Sequence, residues 1–363
     1  MLKRKIFAVL ALIAILAVAS MVIIPGALCS DIKTTRSSTI TLAAYNSSEL
    51  SRAQADYVCM GNKDEIKIQQ AIDNLPASGG SVAFLEGRYL ISSPIIFRVR
   101  SGNGGITVKG QGIGNTTIQN FTANGTDAIQ IGTGAQAGSM YFFDMSDMSI
   151  LGNSQTGNGI YINNRLSCKM ISFHDLEIRG HGGWGITPYM SFPIQGLYMR
   201  DLWVEGNSLG GIRTWGYGWS LTGVRSWNNL GYGIDCQGMN MMLDGVNNEG
   251  NEWGVRLAHG YVVNSFFSDN KKGDIWIYGA NGYTRIINNF FGSHKANETL
   301  LKVQEAYNYI GVNNFVSLEA GVIGIELIAG YNRVDTQIWS EYNNDPTARK
   351  IVNRNSTNNV TIQ

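Results

Sequence analysis

The sequence predicts an all-β protein: a right-handed single-stranded parallel β-helix with a short N-terminal capping helix. Three observations lead there. Glycine followed by a branched aliphatic recurs at Gly159-Ile160, Gly185-Ile186, Gly211-Ile212, Gly233-Ile234, Gly254-Val255 and Gly324-Ile325, the first five glycines lying 26, 26, 22 and 21 residues apart. A second phrase alternates with it, as Asp175-Leu-Glu-Ile-Arg-Gly180, Asp201-Leu-Trp-Val-Glu-Gly206, Gly223-Val-Arg-Ser-Trp-Asn228, Gly245-Val-Asn-Asn-Glu-Gly250 and Asn289-Phe-Phe-Gly292. Both phrases alternate apolar and polar residues, the pattern of strands with one buried face, and the repeats hold no apolar stripe at helical spacing. A period of about 20 to 28 residues with glycine and asparagine at the corners describes coils stacked rung on rung.

Residues 1–30 read as an export signal or an N-terminal membrane anchor. Lys3-Arg4-Lys5 precede an apolar run from Ile6 to Ile24, and Ala27-Leu-Cys29 has the form of a small-residue cleavage site. The run approaches the roughly 20 residues that span a bilayer, so cleavage and retention both stay open, with the body outside in either case. Residues 31–54 are Ser/Thr-rich without periodicity and read as a linker; residues 55–363 form the β-helix.

Within the body, Asp64 is an expected N-cap, and Ile68, Ala71, Ile72 and Leu75 fall on one helical face before Pro76. A helix there would cover the open end of the first coil. Gly79-Gly80 turns into the first strands, and a last coil is expected near Thr336–Ile338 and Lys350–Val352.

The stretches Ala55-Asp-Tyr-Val-Cys59, Asp64 to Pro76 and Gly79-Gly-Ser-Val-Ala-Phe-Leu-Glu-Gly-Arg-Tyr-Leu90, followed by the repeats, resemble the pectate-lyase-like superfamily, in its rhamnogalacturonase/epimerase-like branch. The resemblance implies the β-helix fold and a polysaccharide or glycoconjugate partner. It further implies a lyase, with an Arg or Lys base and Ca²⁺ or cationic side chains, or a hydrolase with paired carboxylates. Met60-Gly-Asn-Lys63 stands where relatives carry an aspartate-rich stretch, so no metal ligands are identified and Ca²⁺ rests on the resemblance alone. Gly180-His181-Gly182 matches one hydrolase motif without its companion elements and is read as coincidence.

Alternation assigns faces. After each Gly-aliphatic phrase, Tyr161, Thr187, Arg213, Asp235 and Arg256 point outward as one ladder, and Asn163, Tyr189, Trp215, Gln237 and Tyr278 as another. On the second phrase Trp203, Glu205, Arg225, Trp227, Asn247 and Glu249 point outward. For a lyase, Arg213 or Arg256 would be the base with Asp235 as orienter or Ca²⁺ ligand; for a hydrolase, Glu205 would pair with Asp201 or Asp235. Tyr189, Trp203, Trp215, Arg225 and Trp227 are the expected sugar contacts, through ring stacking and guanidinium–carboxylate pairs. The same Arg213, Asp235 and Arg256 equally read as a surface ion-pair ladder. Trp184, Trp219 and Trp253 belong with the expected binding surface. Two function classes therefore remain: a polysaccharide lyase or hydrolase, and a non-catalytic adhesin or glycan-binding envelope component.

A net charge of +1 gives no basis for nucleic-acid binding. Cys59, Cys168 and Cys236 have no ligand or disulfide spacing and read as buried apolar residues. His174, His259 and His294 read as hydrogen-bonded structural or solvated residues. Asn46, Asn115, Asn120, Asn124, Asn297, Asn355 and Asn359 stand in glycosylation acceptor motifs.

Overall fold

A computed structural model describes residues 38–98, 104–123, 125–133, 140–163, 168–190, 193–279, 282–292, 298–316, 321–335, 337–340 and 349–361. Residues 1–30 with Cys29, expected as a signal or anchor, and His294, Asn124 and Asn297 lie outside the described residues. Residues 38–363 form one compact unit, a parallel β-solenoid.

Each coil contributes a strand to three faces. The first face includes Ile194–Arg200, Gly216–Thr222, Met239–Asp244 and Gly260–Val263. The second includes Trp203–Glu205, Arg225–Trp227, Asn247–Glu249 and Phe266–Ser268. The third is an 11-stranded parallel sheet that includes Trp184–Pro188, Gly210–Thr214, Tyr232–Cys236, Trp253–Leu257, Ile275–Ile277 and Thr299–Val303.

Register on the third face follows the glycine–aliphatic phrase. Ile160, Ile186, Ile212, Ile234, Val255, Ile275, Leu301 and Ile325 pair successively, and all are fully buried. A one-residue slip would turn this column to solvent and bring the outward charges into the core, so burial itself holds the register. Inside the second face, Phe267, Phe291, Phe315 and Trp339 stack with centroids 5.5, 4.5 and 4.6 Å apart. The glycines of the phrase have a steric reason: a Cβ on Gly211 would lie 2.4 Å from the Gly233 carbonyl.

The corners are made by two kinds of residue. Between the first and second faces, Asp147, Asp175, Asp201, Gly223, Gly245, Asn264 and Asn288 all take positive φ, from 52° to 64°. Asp, Asn and Gly tolerate that region. Asp175 and Asp201 are thus corner residues, and the true equivalent in the later phrase is Asn288 rather than Asn289. Between the second and third faces runs a buried asparagine ladder. Asn207 donates from both N and Nδ2 to Asn229 Oδ1 (3.0 and 3.0 Å), Asn229 to Asn251 Oδ1 (3.0 and 2.9 Å), and Asn251 to Asn270 Oδ1 (3.0 and 3.1 Å). Such a buried corner leaves a backbone N–H unpaired, and the amide supplies an acceptor and a donor at once. Further asparagine ladders run Asn289–Asn313–Gln337 and Asn308–Asn332.

Several expectations are corrected here. The body begins before Ala55: Thr39–Ala43 pairs in parallel with Gly79–Phe84, and Ile40 and Leu42 alternate into the core, so this part of the expected linker belongs to the solenoid. A helix spans Glu65–Asp73 with Ile68, Ala71 and Ile72 in the core. Asp64 does not cap it; its carboxylate accepts the Met60, Gly61 and Leu90 N–H groups (3.0, 2.9 and 2.8 Å), tying the incoming loop to a neighbouring strand. Trp219 is core, with Nε1 donating to the Ile194 carbonyl. Asn120 is fully buried, so its side chain is closed to glycosylation in the folded protein. The three described cysteines are buried, and burial pushes each thiol up to about 12.

His181 is fully buried at the head of the asparagine ladder, its backbone N–H donating to Asn207 Oδ1 and its ring Nε2 lying 3.2 Å from the Ile150 carbonyl. Burial lowers its pKa to about 4, only partly offset by that carbonyl. Folded imidazole therefore resists a proton that the unfolded chain accepts from about pH 6.5 downward, and stability falls as pH drops from 6.5 to 4. His181→Asn, the residue found at the following rungs, is expected to remove about 3 kcal/mol of this acid loss relative to wild type, read from denaturation at pH 7 and pH 4; parallel losses in both proteins would contradict it.

Candidate functional site

The outward ladder on the third face assembles as its spacing implies. Arg213 pairs with Asp235 and Asp235 with Arg256 in register. Arg213 Nε donates to Asp235 Oδ2 (3.1 Å), Arg256 Nε to Oδ1 (2.7 Å) and Arg256 Nη2 to Oδ2 (2.7 Å); Gln237 Nε2 donates to Oδ2 as well (2.7 Å). Asp235 points outward yet is 0% exposed, because the guanidinium groups cover it, while Arg213 and Arg256 keep 29% and 18% exposure. Two cations and one carboxylate leave an excess positive charge on the solvent side.

Aromatic rings hold the cations flat. Arg213 Cζ lies 4.4 Å from the Trp184 ring centroid; Arg256 Cζ lies 4.4 Å from Tyr232 and 4.7 Å from Tyr278. Trp276 takes the next rung after Arg256, and Lys302 the one after that, its Nζ 5.8 Å from the Trp276 centroid. Ring faces carry negative potential, so they orient a guanidinium without neutralising it. Burial is the largest single influence on the Arg256 pKa and lowers it, but the hydrogen bonds and charge of Asp235, with Tyr278 and Tyr232, together raise it, and the net direction is upward. Burial and the Asp235 charge push the Tyr278 phenol up to about 12, which keeps it a donor at neutral pH.

A cavity of about 450 Å³ adjoins this cluster, lined by Trp215, Tyr217, Gln237, Met239, Ala258 and Tyr278. Expected as neighbours, Gln237 and Tyr278 are separated by the rung of Ala258, and that small side chain leaves the space. Tyr189 occupies the preceding rung of the same column.

The other expected site residues lie elsewhere. Trp203, Glu205, Arg225 and Trp227 are on the second face, where Trp203 and Trp227 meet edge to face at 6.0 Å and Arg225 lies over Trp227. Trp227 Nε1 donates to Asn247 Oδ1. Glu205 and Asp201 are therefore on other parts of the coil than Asp235, and the expected Glu205–Asp235 pair does not form. Asp201 sits at the corner, 3.7 Å from Arg200 Nε.

The lyase roles expected of Arg256 and Asp235 meet two obstacles. A proton-abstracting arginine must be neutral, whereas Arg256 is held cationic. Calcium needs free oxygen donors, but both Asp235 oxygens accept N–H bonds beside two cations, and no cluster of three potential ligands occurs among the described residues. The donor set does not fit the metal.

Sequence reasoning missed Tyr232, Trp276 and Lys302. Trp276 was legible, as the outward residue after the aliphatic in Gly273-Asp-Ile275. It also missed Tyr283, Tyr307 and Tyr331, which recur every 24 residues and stack on one another (6.1 and 5.3 Å) at exposed, positive-φ corners.

No family model matches the chain, and no curated protein matches it. Solved structures do. DFA-IIIase from Arthrobacter chlorophenolicus A6, in complex with GF2, superposes with a TM-score of 0.59 at 12% identity, over 83% of this chain and 88% of that one. The A-module of mannuronan C-5 epimerase AlgE6 from Azotobacter vinelandii superposes with a TM-score of 0.52 at 15% identity, over 83% and 94%. ORF18 of Geobacillus virus E2 matches at 17% identity with a TM-score of 0.49, over 83% of this chain, which spans 58% of that protein's length. What the first two share with it is the fold.

Asp235→Ala is expected to lower stability by about 3–5 kcal/mol, since it leaves two half-covered guanidinium groups without their counter-charge. Denaturant unfolding checks this; a loss below about 1 kcal/mol would reduce the cluster to an ordinary surface ion pair.

Proposed function

We propose that the protein is an exported, polysaccharide-engaging β-helix that binds uronate-containing chains along its third face, as a surface glycan-binding component. One observation carries this reading: Arg213 and Arg256 keep a net positive charge beside Asp235 while Trp184, Tyr232, Trp276 and Tyr278 frame them. A uronate carboxylate fits the free guanidinium edges, and apolar sugar faces fit the rings and the adjoining cavity. Another parallel β-helix is a mannuronan C-5 epimerase module, which supports a polyuronate ligand. Export rests on residues 1–30, as a cleaved signal or a retained anchor. We also read the helix Glu65–Asp73 as the cover of the first coil and the coil hand as right-handed.

What favours binding over lyase chemistry is Arg256, whose hydrogen bonds to Asp235 favour its cationic form. Isothermal titration with a hexauronate is expected to give binding that weakens with salt and falls at least tenfold in Arg213→Ala/Arg256→Ala. Absorbance at 235 nm should stay flat on incubation with polyuronates. Unchanged affinity in the double variant would reject the site, and a rise at 235 nm would establish the lyase reading in its place.

A further inference from the structure

A second groove, of about 420 Å³, opens on the first face, over coils that end at the one carrying Arg213 on the third face, lined among others by Thr107, Phe142, Asp144, Met170, Ser172 and Tyr198. Its backbone is unusual. Phe142 and Met170 occupy equivalent rungs at φ 57° and 55°, between Tyr141↔Lys169 and Phe143↔Ile171. The next three coils carry Gly196, Gly218 and Asn240 at that rung, with φ 70°, 67° and 56°. The column itself thus identifies the residues this conformation prefers, and a bulky side chain there is strained.

Burial does not offset that strain, since Phe142 is 56% exposed and Met170 47%. Tyr198, 48% exposed, extends the same apolar patch. Gly105 keeps the floor open: a Cβ there would lie 3.0 Å from the Phe142 carbonyl oxygen. Down the groove, Ser81, Thr107, Asp144, Ser172 and Tyr198 pair in register, placing one hydroxyl or carboxylate on each coil. Asp144 Oδ1 lies 3.5 Å from His174 Nε2, and His174 Nδ1 lies 2.8 Å from Asp175 Oδ2.

We propose that this groove is a separate binding site for a neutral saccharide, independent of the uronate reading of the third face. Phe142 and Met170 present apolar surface to the C–H face of a sugar ring. The Asp144 carboxylate and the hydroxyl column take up its hydroxyl groups. No Lys or Arg lines the groove and one carboxylate does, so a polyuronate is disfavoured where a neutral sugar is not.

The test uses the full chain, with Phe142→Asn/Met170→Gly copying the residues of the same column, and titrates cellohexaose, maltohexaose, chitohexaose and hexagalacturonate into each protein. The expected result is that at least one neutral hexaose binds wild type and Arg256→Ala alike, and binds the double variant at least tenfold more weakly. The double variant's melting temperature should be unchanged or higher. Tyr198→Ala, at an exposed position in the same groove, supplies a second binding readout and should also weaken it. Failure of every neutral hexaose to bind, full binding by both groove variants, or a melting temperature that falls in the double variant while Tyr198→Ala binds normally, would each overturn the proposal. None of these results bears on whether hexagalacturonate binds at Arg213 and Arg256.

Discussion

Everything outward on this molecule depends on coils stacking without slippage. Two buried columns enforce that: the aliphatic rung from Ile160 to Ile325, and the asparagine ladder from Asn207 to Asn270. The first is non-directional and acts by burying apolar surface. The second is directional, because each amide oxygen accepts from the backbone and side chain of the coil before it. A slipped coil would leave those groups buried and unpaired, at a cost of about 1–3 kcal/mol each. Hydrophobic burial and the amide ladder thus hold the register together.

Register then becomes surface chemistry. Neighbouring parallel strands lie about 4.8 Å apart, so residues a full coil apart in sequence become neighbours. Arg213, Asp235 and Arg256 meet only for this reason. Asp235 prevents two stacked guanidinium groups from repelling each other, and in doing so is wholly covered. The resulting surface is cationic and aromatic. The first-face groove uses the same stacking with a different column, hydroxyls and one carboxylate beside Phe142 and Met170, and so reaches a different ligand class.

The fold was legible because period-two alternation and a recurring glycine–aliphatic phrase are local signals. The column Ile186–Ile212–Ile234 and the ladder Arg213–Asp235–Arg256 followed directly from them. What was not legible has physical reasons. Ser/Thr-rich composition hid Ile40 and Leu42, whose alternation is only a strand long. Backbone φ is invisible in sequence, so Asp175 and Asp201 looked like outward carboxylates, and the strain at Phe142 and Met170 could not be seen. His181 seemed a stray motif because its role depends on an asparagine one coil later. Which face a residue occupies is set by where the corners fall, and this separated Glu205, Trp203, Arg225 and Trp227 from Asp235.

The central claim is that the arginine–aromatic surface of the third face is where an anionic glycan lies. A crystal structure of the protein grown with a uronate oligosaccharide tests it most directly. The account predicts carboxylates bonded to the solvent-facing edges of Arg213 and Arg256, sugar rings against Tyr278 or Trp276, and the bonds to Asp235 intact. Oligosaccharide bound instead along Trp203 and Trp227, or bound with Asp235 released from both arginines, would contradict it.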